Sequence, residues 1–516
     1  MRRDLASLCT ELHDVIVVGG GIHGACTAWE AARRGLKVAL IEAGDFNQAT
    51  SSNGLRTLHG GLRQLQRLDF VHLRESIRER REWLRLAPEL TEPLRFVLPA
   101  AKQGTRGRAM LRTALWITDL VSSDRNRDLP ADRQIPKGAM LSNAEFAALY
   151  PGLAVTEHNG AAAWYDGVCL NTERLQLAVV AAAVSAGAQA ANYVRALQPL
   201  KEGRHVNGAR VRDELTGRQM DLQGRLIVNA TGPWIEEWLG ADARRGVPAF
   251  KASKAFSLLV RKFPFPDALG LNARNNTYFV IPWNGYSLVG TRHLRCDPET
   301  RIATVSRDEV LEFLADINPL LGEHRLDAAD IRGVFSGLLP ETAVVGPDVV
   351  LERTPQIIDH TPQGLAGVLS IIGVRWTTAR AVGERVARQA LRRLGRAEQP
   401  PVSASQLDTA GPSLPPLDID PTLAARIVPD LPLVFAQVVQ AARHEMAMRL
   451  SDVVRRRIPL YLSAALDRSV LASCAAVMAR ELRWNRREVA AEIEAAAAEL
   501  ATFRGPLQAD PHPVAA

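Results

Sequence analysis

The sequence predicts an α/β protein with a parallel sheet near the N-terminus, an interleaved antiparallel sheet and a helical C-terminal region. An unbroken apolar run at 15–18 leads into a glycine cluster and an amphipathic helix, which is typical of a buried parallel strand and its crossover helix. Alternating apolar residues at 278–283 and 287–291 predict strands of an antiparallel sheet. Between 433 and 503 alanine is abundant and apolar residues recur at helical spacing, which predicts helices.

Length and composition set the class of protein. The chain has 516 residues, more than one simple core accommodates, so we expect two or three domains. With 47% hydrophobic and 23% charged residues it has the composition of an ordinary globular protein. The net charge of +7 suits an anionic substrate, an anionic membrane surface or nucleic acid. No nucleic-acid-binding module is recognisable, so we set that class of partner aside.

Targeting signals and cysteines indicate the compartment. No apolar run is long enough to span a bilayer, and Glu11 and Asp14 interrupt any export signal, so we expect a protein that is neither exported nor transmembrane. The cysteines have no CxxC spacing, which argues against a metal site and a disulfide framework and favours a reducing, cytoplasmic setting. They are Cys9, Cys26, Cys169, Cys296 and Cys474.

A glycine motif follows the first apolar run. It has the form GxGxxG and consists of Gly19, Gly21 and Gly24. Such glycines permit a tight turn, close approach of a pyrophosphate to the backbone, and close packing of helix on strand. A helix is predicted over 25–34 and a second strand over 37–41, which ends on Glu42, where a carboxylate can accept ribose hydroxyls. This order predicts a Rossmann-like dinucleotide site. The acid speaks against a 2′-phosphate, so FAD and NAD remain.

The next segment carries a family resemblance. It is polar and reads Thr50, Ser51 and Ser52, then His59-Gly-Gly-Leu-Arg63. It resembles the FAD-dependent glycerol-3-phosphate dehydrogenases of the D-amino-acid-oxidase-like superfamily, whose loop reads TSS and then HGGLRY. Further segments match in order and extend the resemblance over nearly the whole chain. They lie at 80–88, 164–168, 174–175, 225–234, 278–283, 287–291, 333–337, 369–380 and 444–457.

The sequence departs from the family pattern at several positions near the matched motifs. Gln64 stands where the family usually has tyrosine, and Arg375 stands where it has lysine. The family motif SGxRP would place an arginine where this chain has Leu338 or Leu339. The remaining departures are Arg292 and His293 for Thr-Asp, and Val374 for a second glycine.

The resemblance implies FAD as the cofactor. The Ala230-Thr231-Gly232 turn would close over it, and the amides at the start of the helix after Thr378 would face the flavin O2 and N1 region. Thr377 and Thr378 are alternatively ordinary cap residues. The cofactor-binding residues implied are Gly19, Gly20, Gly21, Ile22, Gly24, Glu42, Thr50, Ser51, Ser52, His59, Gly60, Gly61, Ala196, Ala230, Thr231, Gly232, Gly373, Val374, Trp376, Thr377 and Thr378.

The family's reaction implies roles for several cations. It is the FAD-dependent oxidation of sn-glycerol 3-phosphate to dihydroxyacetone phosphate, with hydride passing to flavin N5 and electrons to a quinone-type acceptor. His59 is the candidate base, or alternatively a brace for the flavin loop. Arg63 would stabilise the alkoxide or bind phosphate, or alternatively forms a surface ion pair. Phosphate binding is predicted for Arg63, Arg353, Arg375 and Lys254.

Two other functions stay open at this point. One is a related flavin dehydrogenase or oxidase for another small hydroxy or amino acid, and the other is a flavin-binding protein without turnover. The other partners considered are a second copy of the chain and the inner face of the cell membrane. A basic amphipathic helix would lie on that membrane or pack on its own protein. It contains Arg106, Arg108 and Arg112 among Met110, Leu111, Leu115 and Trp116.

The segments above predict the domain bounds. The FAD-dependent oxidoreductase domain covers 1–400, with FAD-binding segments at about 14–95, 160–245 and 332–395 and a substrate domain at about 96–159 and 246–331. Six prolines from 400 to 421 predict a linker over 401–421, before a C-terminal helical domain at 422–510. Within that domain, three consecutive arginines are interpreted as a solvated face. They are Arg455, Arg456 and Arg457.

Overall fold

A computed structural model describes residues 1–102, 104, 106–155, 158–239, 251–273, 276–297, 300–345, 348–398, 400–402, 406–411 and 420–507. The strands are β1 Leu12–Val18, β2 Val38–Ile41, β3 Thr57–Leu58, β4 Thr91–Pro99, β5 Ala139–Leu141, β6 Ala161–Cys169, β7 Gln189–Ala191, β8 Val194–Glu202, β9 His205–Asp213, β10 Gln219–Asn229, β11 Ala252–Val260, β12 Ala268–Ala273, β13 Asn276–Trp283, β14 Tyr286–Arg295, β15 Ile331–Val345, β16 Asp348–Leu351, β17 Gln356–Asp359 and β18 Val368–Ile372. The helices are α1 Leu5–Thr10, α2 Ile22–Ala32, α3 Phe70–Leu86, α4 Arg108–Val121, α5 Asn143–Leu149, α6 Thr172–Ser185, α7 Ile235–Leu239, α8 Arg307–Leu321, α9 Ala379–Arg393, α10 Phe435–His444, α11 Leu450–Asp452, α12 Arg468–Leu482 and α13 Arg486–Arg504.

The first sheet has a parallel centre in the order β18-β10-β1-β2-β7. The unbroken apolar run predicted at 15–18 is confirmed as a buried strand. Val15 and Val17 face the core built with α2, α6 and α9, whereas Ile16 and Val18 face the core shared with β9. Because both faces of β1 are covered, its central residues 15–18 are all apolar, and the buried polar residues His13 and Asp14 lie at its start, where each has a hydrogen-bond partner. Helix α2 begins at Ile22, three residues before the predicted start, because Gly21 is its N-cap.

The second sheet is mainly antiparallel, with the strand order β16-β15-β11-β14-β13-β12-β4-β6-β3. The two strands predicted at 278–283 and 287–291 are confirmed as antiparallel neighbours β13 and β14. Helix α8 packs on this sheet through Phe313, which meets Phe256 and Tyr278 edge to face. An aromatic cluster on these strands also contacts the C-terminal helices, because Phe335 of β15 packs against Phe503 of α13.

Several strands of the second sheet, including β6 and β15, fall in sequence ranges that were assigned to FAD-binding segments. β6 pairs with β4 along its whole length, and β15 pairs with β11. Strand partners are set by contacts between distant segments, so the pattern within each strand does not reveal its sheet. The domain bounds themselves remain predictions.

The described part of the proline-rich linker is docked on the rest of the chain. Residues 403–405 and 412–419 lie outside the described residues. Leu407 is buried, and its amide donates to the carbonyl of Leu86, 2.8 Å away. Arg174 of α6 donates to the carbonyls of Thr409 and Ala410, both at 2.8 Å. The linker composition therefore did not indicate this ordered contact.

The predicted C-terminal helices are confirmed, but the interpretation of their three arginines as a solvated face is wrong. Arg456 and Arg457 are 5% and 4% exposed. Both donate to Asp45, which lies in the loop after β2. Their carboxylate partner is more than 400 positions away in the sequence, so the local charge run could not reveal it.

Candidate active site

The glycine motif forms the turn between β1 and α2. Gly19 has a φ of +108°, and a Cβ there would lie 2.5 Å from the carbonyl oxygen of Ala230. A Cβ on Gly24 would overlap the carbonyl oxygen of Gly19, so the helix can pack on the strand only with glycine at this position. The turn consequently exposes backbone at the carboxyl end of the parallel sheet, where α/β folds bind dinucleotides.

Glu42, at the end of β2, organises the same turn. Its carboxylate accepts hydrogen bonds from the amides of Gly20, at 2.6 Å, and Gly44, at 2.9 Å. Burial raises the pKa of Glu42, and the two amide hydrogen bonds act in the opposite direction. The side chain thus links the two glycine turns that flank the predicted ribose position.

Three further contacts fix the loops around this turn. Ser51 accepts a hydrogen bond from the amide of Ile22 at the start of α2, 3.0 Å away. Gln176 of α6 donates to the carbonyl of Gly20 at 2.5 Å. The hydroxyl of Thr50 donates to the carbonyl of Leu338 and accepts from its amide, at 3.1 and 3.2 Å. These bonds connect the TSS segment to both sheets.

A cavity of about 2170 Å³ extends from this turn to the second sheet. Pockets for small ligands are usually about 300–1,000 Å³, so this cavity has room for a dinucleotide and a substrate together. Most of the predicted cofactor residues line it. They are Gly19, Gly21, Ile22, Glu42, Thr50, Ser51, His59, Gly61, Ala196, Ala230, Thr231, Gly232, Gly373, Val374, Trp376 and Thr377.

The other predicted cofactor residues lie next to the lining residues but do not line the cavity themselves. Gly20 and Gly24 shape the turn already described. A Cβ on Gly60 would clash with the guanidinium of Arg80. Ser52 donates to the carbonyl of Ala49, and Thr378 is buried at the start of α9 without a side-chain cap bond.

His59, the candidate base, lies beside a buried carboxylate. The ring Nδ1 is 3.6 Å from Asp166 Oδ2, which is within ion-pair distance but longer than a hydrogen bond. The His59 side chain is 51% exposed and lines the cavity, whereas Asp166 is 4% exposed. Burial alone would raise the pKa of Asp166, but its interactions with His59 and Arg80 outweigh burial and lower it. Asp166 is therefore ionised near neutral pH, and its carboxylate faces Nδ1 of His59.

One face of α3 holds this part of the site together. Ser76, Arg80 and Trp83 are spaced four and three residues apart, so their side chains lie on the same side of the helix. Arg80 donates to Asp166 Oδ1 at 2.7 Å, and Trp83 Nε1 donates to the carbonyl of Thr377 at 2.8 Å. The hydroxyl of Thr377 accepts from the amide of His59 at 3.0 Å. Thr377 therefore connects the histidine loop to the turn before α9, instead of acting only as a helix cap.

The structure brings two of the four predicted phosphate-binding cations to the cavity. Arg353 and Arg375 line it. Lys254 does not, because its ammonium is paired with Glu309 at 2.5 Å and donates to the carbonyl of Thr304 at 2.9 Å. The side chain of Arg63 lies outside the described residues, so its two predicted roles remain predictions.

A half-buried imidazole on the cavity wall packs against the turn before α9. His23 of α2 packs against Gly373, where a Cβ would overlap the ring. Burial lowers the pKa of His23 to about 4, and the charge of Arg385 acts in the same direction. The ring is therefore neutral near pH 7 and packs as an uncharged group at the cavity wall.

These residues fit FAD. A Cβ has no room at Gly19, where the turn is tight, or at Gly24, where the helix packs on the strand, and Gly21 between them lines the cavity, where the backbone has to approach a pyrophosphate. Glu42 stands at the ribose position, and the second turn at 230–232 meets the first from β10. The cavity continues beyond both turns to His59 and Arg375, where a flavin ring and a substrate would meet.

Sequence reasoning gave no role to Asp166, Arg80, Ser76, Trp83 or Gln176. Arg80, Trp83 and Asp166 lie in segments that carry the family resemblance, and this was the available signal. Gln176 is 0% exposed inside an apolar helix, and a buried amide at such a position is itself a sign of a specific hydrogen-bond partner.

Protein-family models match most of the chain. The model described as FAD dependent oxidoreductase (DAO) matches residues 14–389, and that of the C-terminal domain of alpha-glycerophosphate oxidase matches residues 404–489. A curated protein of Synechocystis sp., named glycerol-3-phosphate dehydrogenase, is 30% identical over 95% of this chain and 97% of its own length. The glycerol-3-phosphate dehydrogenase of Mycobacterium leprae is 32% identical over 72% of this chain and 62% of its own length.

Solved structures show the same fold. The glycerol-3-phosphate dehydrogenase of Bacillus halodurans complexed with FAD matches with a TM-score of 0.72 and 22% identity, covering 98% of this chain and 97% of that chain. The L-alpha-glycerophosphate oxidase of Mycoplasma pneumoniae with FAD bound matches with a TM-score of 0.51 and 18% identity, covering 77% and 98%. The family model covers well over half of the chain, its fold is shared, and the cavity fits the cofactor; the chain therefore belongs to the FAD-dependent oxidoreductase family.

Proposed function

We propose that the protein oxidises sn-glycerol 3-phosphate to dihydroxyacetone phosphate. The observation that supports it best is the arrangement at one end of the cavity, where a histidine beside a buried carboxylate, His59 with Asp166, adjoins the turn that carries Arg375. The Synechocystis relative, which aligns over 97% of its own length, is named glycerol-3-phosphate dehydrogenase. Removing a hydride from a secondary alcohol requires a base for the hydroxyl proton, and a phosphate requires a fixed cation.

Each of these residues has a separate role in the proposed reaction. His59 Nε2 takes the proton from the substrate hydroxyl while Asp166 keeps Nδ1 engaged and stabilises the imidazolium that forms. Arg375 binds the phosphate group and so holds the substrate in the cavity. When bound, FAD supplies the two-electron acceptor, with hydride passing to N5.

The test is anaerobic reduction of the bound flavin by glycerol 3-phosphate. The purified protein should lose its oxidised-flavin absorbance at millimolar substrate, and His59→Asn should slow this by about 10²–10⁴-fold, the usual contribution of a general base. His205→Asn is the matched control, since His205 is an exposed histidine on β9. A flavin that stays oxidised with glycerol 3-phosphate contradicts the proposal. An unchanged rate in His59→Asn would leave His59 as a brace only.

A second candidate is favoured by one observation. Leu338 and Leu339 line the cavity where the family motif has an arginine, and Leu338 is 4% exposed. An apolar wall there suits a small hydroxy or amino acid better than a phosphate. A panel of hydroxy acids, amino acids and phosphorylated polyols separates the two candidates by which compound reduces the flavin fastest. If none reduces it, the protein binds flavin without turnover.

For the acceptor we propose a quinone reached from an anionic membrane surface. Among the described residues, no helix combines the length and apolar character needed to cross a bilayer. Large apolar side chains are nevertheless exposed on α4 and around the start of α3. They are Leu68 at 72%, Phe70 at 44%, Val71 at 78%, Met110 at 54%, Trp116 at 66% and Leu120 at 63%.

This apolar patch adjoins the cavity. Leu68 and Met110 belong to both the patch and the cavity wall. Arg106 and Arg112 flank it on α4 and its approach, which favours anionic lipid. Flotation with anionic liposomes should recover the wild-type protein, and Trp116→Ser should weaken recovery, whereas Trp484→Ser in the C-terminal helical region should not. Recovery of wild-type protein only in the soluble fraction at low salt contradicts the proposal.

A further inference from the structure

Two residues that depart from the family pattern are in contact with each other. Gln64 follows the histidine loop, and Arg375 lies in the turn before α9. With the Gln64 amide oriented so that its oxygen faces Arg375, this oxygen accepts from both terminal nitrogens of the guanidinium, at 2.7 Å to Nη1. Arginine has only donors, so the amide oxygen, and not the amide nitrogen, must face it. Gln64 is 7% exposed, and burial keeps this contact away from bulk water.

The contacts of Arg375 can be followed donor by donor. Its five N–H groups lie in one plane. One hydrogen on Nη1 and one on Nη2 point to the Gln64 oxygen, and the second hydrogen on Nη1 points to the hydroxyl of Ser76, 3.3 Å away. Nε–H and the second hydrogen on Nη2 remain, and no acceptor among the described residues takes them. These two donors form the side-on edge that binds two oxygens of one oxyanion.

The charge of Arg375 is available to a ligand. No carboxylate of the described residues lies within ion-pair distance of it, although Glu75 and Asp69 act on it from further away. Its fixed contacts are with neutral groups, and it lines the cavity. By contrast, Lys254 already has its charge neutralised by Glu309. A lysine at position 375 would have no planar guanidinium edge. Gln64 can therefore orient an arginine at this position but not a lysine.

We propose that Gln64 is a specificity-determining positioning residue, which holds Arg375 end-on so that its side-on edge receives two oxygens of the substrate's phosphate group. This inference rests on the proposed function and names the group that substitutes for the missing SGxRP arginine. It predicts that Gln64 acts on the binding of the anion and hardly on the chemical step.

A double-mutant cycle tests the proposal. The variants are Gln64→Met, which keeps the size but has no acceptor, Arg375→Gln, and the pair together. Two quantities are measured on the flavin-loaded protein: the Kd of inorganic phosphate, from the change in the flavin absorbance spectrum, and KM and kcat for glycerol 3-phosphate. We expect Gln64→Met to raise Kd and KM by about tenfold and to leave kcat within about threefold. Adding Gln64→Met to Arg375→Gln should change Kd and KM no further, because Arg375, through which Gln64 acts, is absent.

Controls separate a local effect from general loss of packing. Gln440→Leu removes an equally buried amide, also 7% exposed, that bonds to Glu445 far from the cavity, and it should leave Kd and KM unchanged. If Gln64→Met fails to retain FAD, Gln64→Asn withdraws the oxygen by one methylene and is expected to give the same rise in Kd. D-glycerate has a carboxylate in place of the phosphoryloxymethyl group, and its KM should rise less in Arg375→Gln than the KM of glycerol 3-phosphate does.

Several outcomes overturn the proposal. Additive effects in the double variant would show that Gln64 does not act through Arg375. A changed kcat or flavin reduction potential with an unchanged phosphate Kd would show that the pair serves the flavin and not the substrate anion. If wild-type protein binds phosphate through Arg375 but is not reduced by glycerol 3-phosphate, the proposed function fails while the anion site stands.

Discussion

Replacing Asp45 with asparagine should loosen both the C-terminal helical region and the cofactor loop. Asp45 is 0% exposed and accepts three bonds from guanidinium groups: from Arg456 Nε at 2.8 Å, Arg457 Nη1 at 2.7 Å and Arg457 Nη2 at 2.8 Å. Asn192 donates a fourth hydrogen bond at 2.9 Å. Asp45→Asn keeps the shape but leaves two buried arginines with less compensating charge.

The size of the effect follows from burial and from the pKa of Asp45. Removing one partner of a buried ion pair costs about 3–5 kcal/mol. Burial alone would raise the pKa of Asp45, but Arg457 and Arg456 lower it to about 2, against an ordinary value of 3.8. This difference corresponds to about 2 kcal/mol in favour of the carboxylate. We therefore expect Asp45→Asn to lower the free energy of unfolding by about 3 kcal/mol near pH 7.

The assay is urea denaturation, followed by release of FAD and by tryptophan fluorescence. Asp221→Asn is the matched control, because Asp221 makes a two-bond pair with Arg210 in which both side chains are about 40% exposed. An exposed pair contributes about 0–1 kcal/mol. A lowered folded-state pKa gives stability that is present above the unfolded value and is lost as pH falls through the folded value. The difference between wild type and Asp45→Asn should therefore vanish between about pH 4 and pH 2. Equal losses in Asp45→Asn and Asp221→Asn would refute the reasoning.

Three further predictions concern the glycine turn, the carboxylate and the imidazole of His23. Gly24→Ala should cost about 1–3 kcal/mol and lower the ratio of flavin absorbance to protein, because its Cβ overlaps the Gly19 carbonyl, and an unchanged ratio would contradict this. Asp166→Asn should slow flavin reduction by about tenfold or more at unchanged FAD content, and an unchanged rate would remove Asp166 from the site. Burial lowers the pKa of His23 to about 4, so between about pH 6.5 and pH 4 the unfolded chain binds a proton that the folded chain does not. The free energy of unfolding should therefore fall as the pH is lowered through this window. If the urea midpoint of wild type declines no more than that of His23→Gln, the prediction is contradicted.

The parts of the fold predicted from the sequence are those whose signal is local. The run 15–18 and its glycines determine a buried strand, a tight turn and a helix within one continuous segment, and this unit is confirmed. The placement of β6 and β15 in the second sheet depends on partners far away in the sequence, and no local pattern reports it. The same holds for Arg456 and Arg457, whose interior position is decided by Asp45.

The candidate site also has parts that a local motif reveals and parts that depend on distant segments. The glycines, Glu42 and the TSS and HGGLR segments could be recognised because each lies in a short motif. The face of α3 could not be recognised, because Ser76 and Trp83 bond to the turn before α9, whereas Arg80 bonds to β6, and these segments meet only in the folded chain. Lys254 illustrates the reverse case, since it was expected to bind phosphate without support from a matched motif and is instead paired with Glu309.

The position of Asp45 links the C-terminal helical region to the cofactor site. Glu42 and Asp45 lie three residues apart after β2, and their carboxylates have different partners. Glu42 binds the amides of the glycine turns, and Asp45 binds two arginines that follow α11. An asparagine at 45 leaves Glu42 in place but removes the charge that holds its loop against the C-terminal helices. FAD should therefore dissociate at lower urea than that needed to unfold the first sheet in Asp45→Asn, whereas in wild type the two transitions should lie closer together.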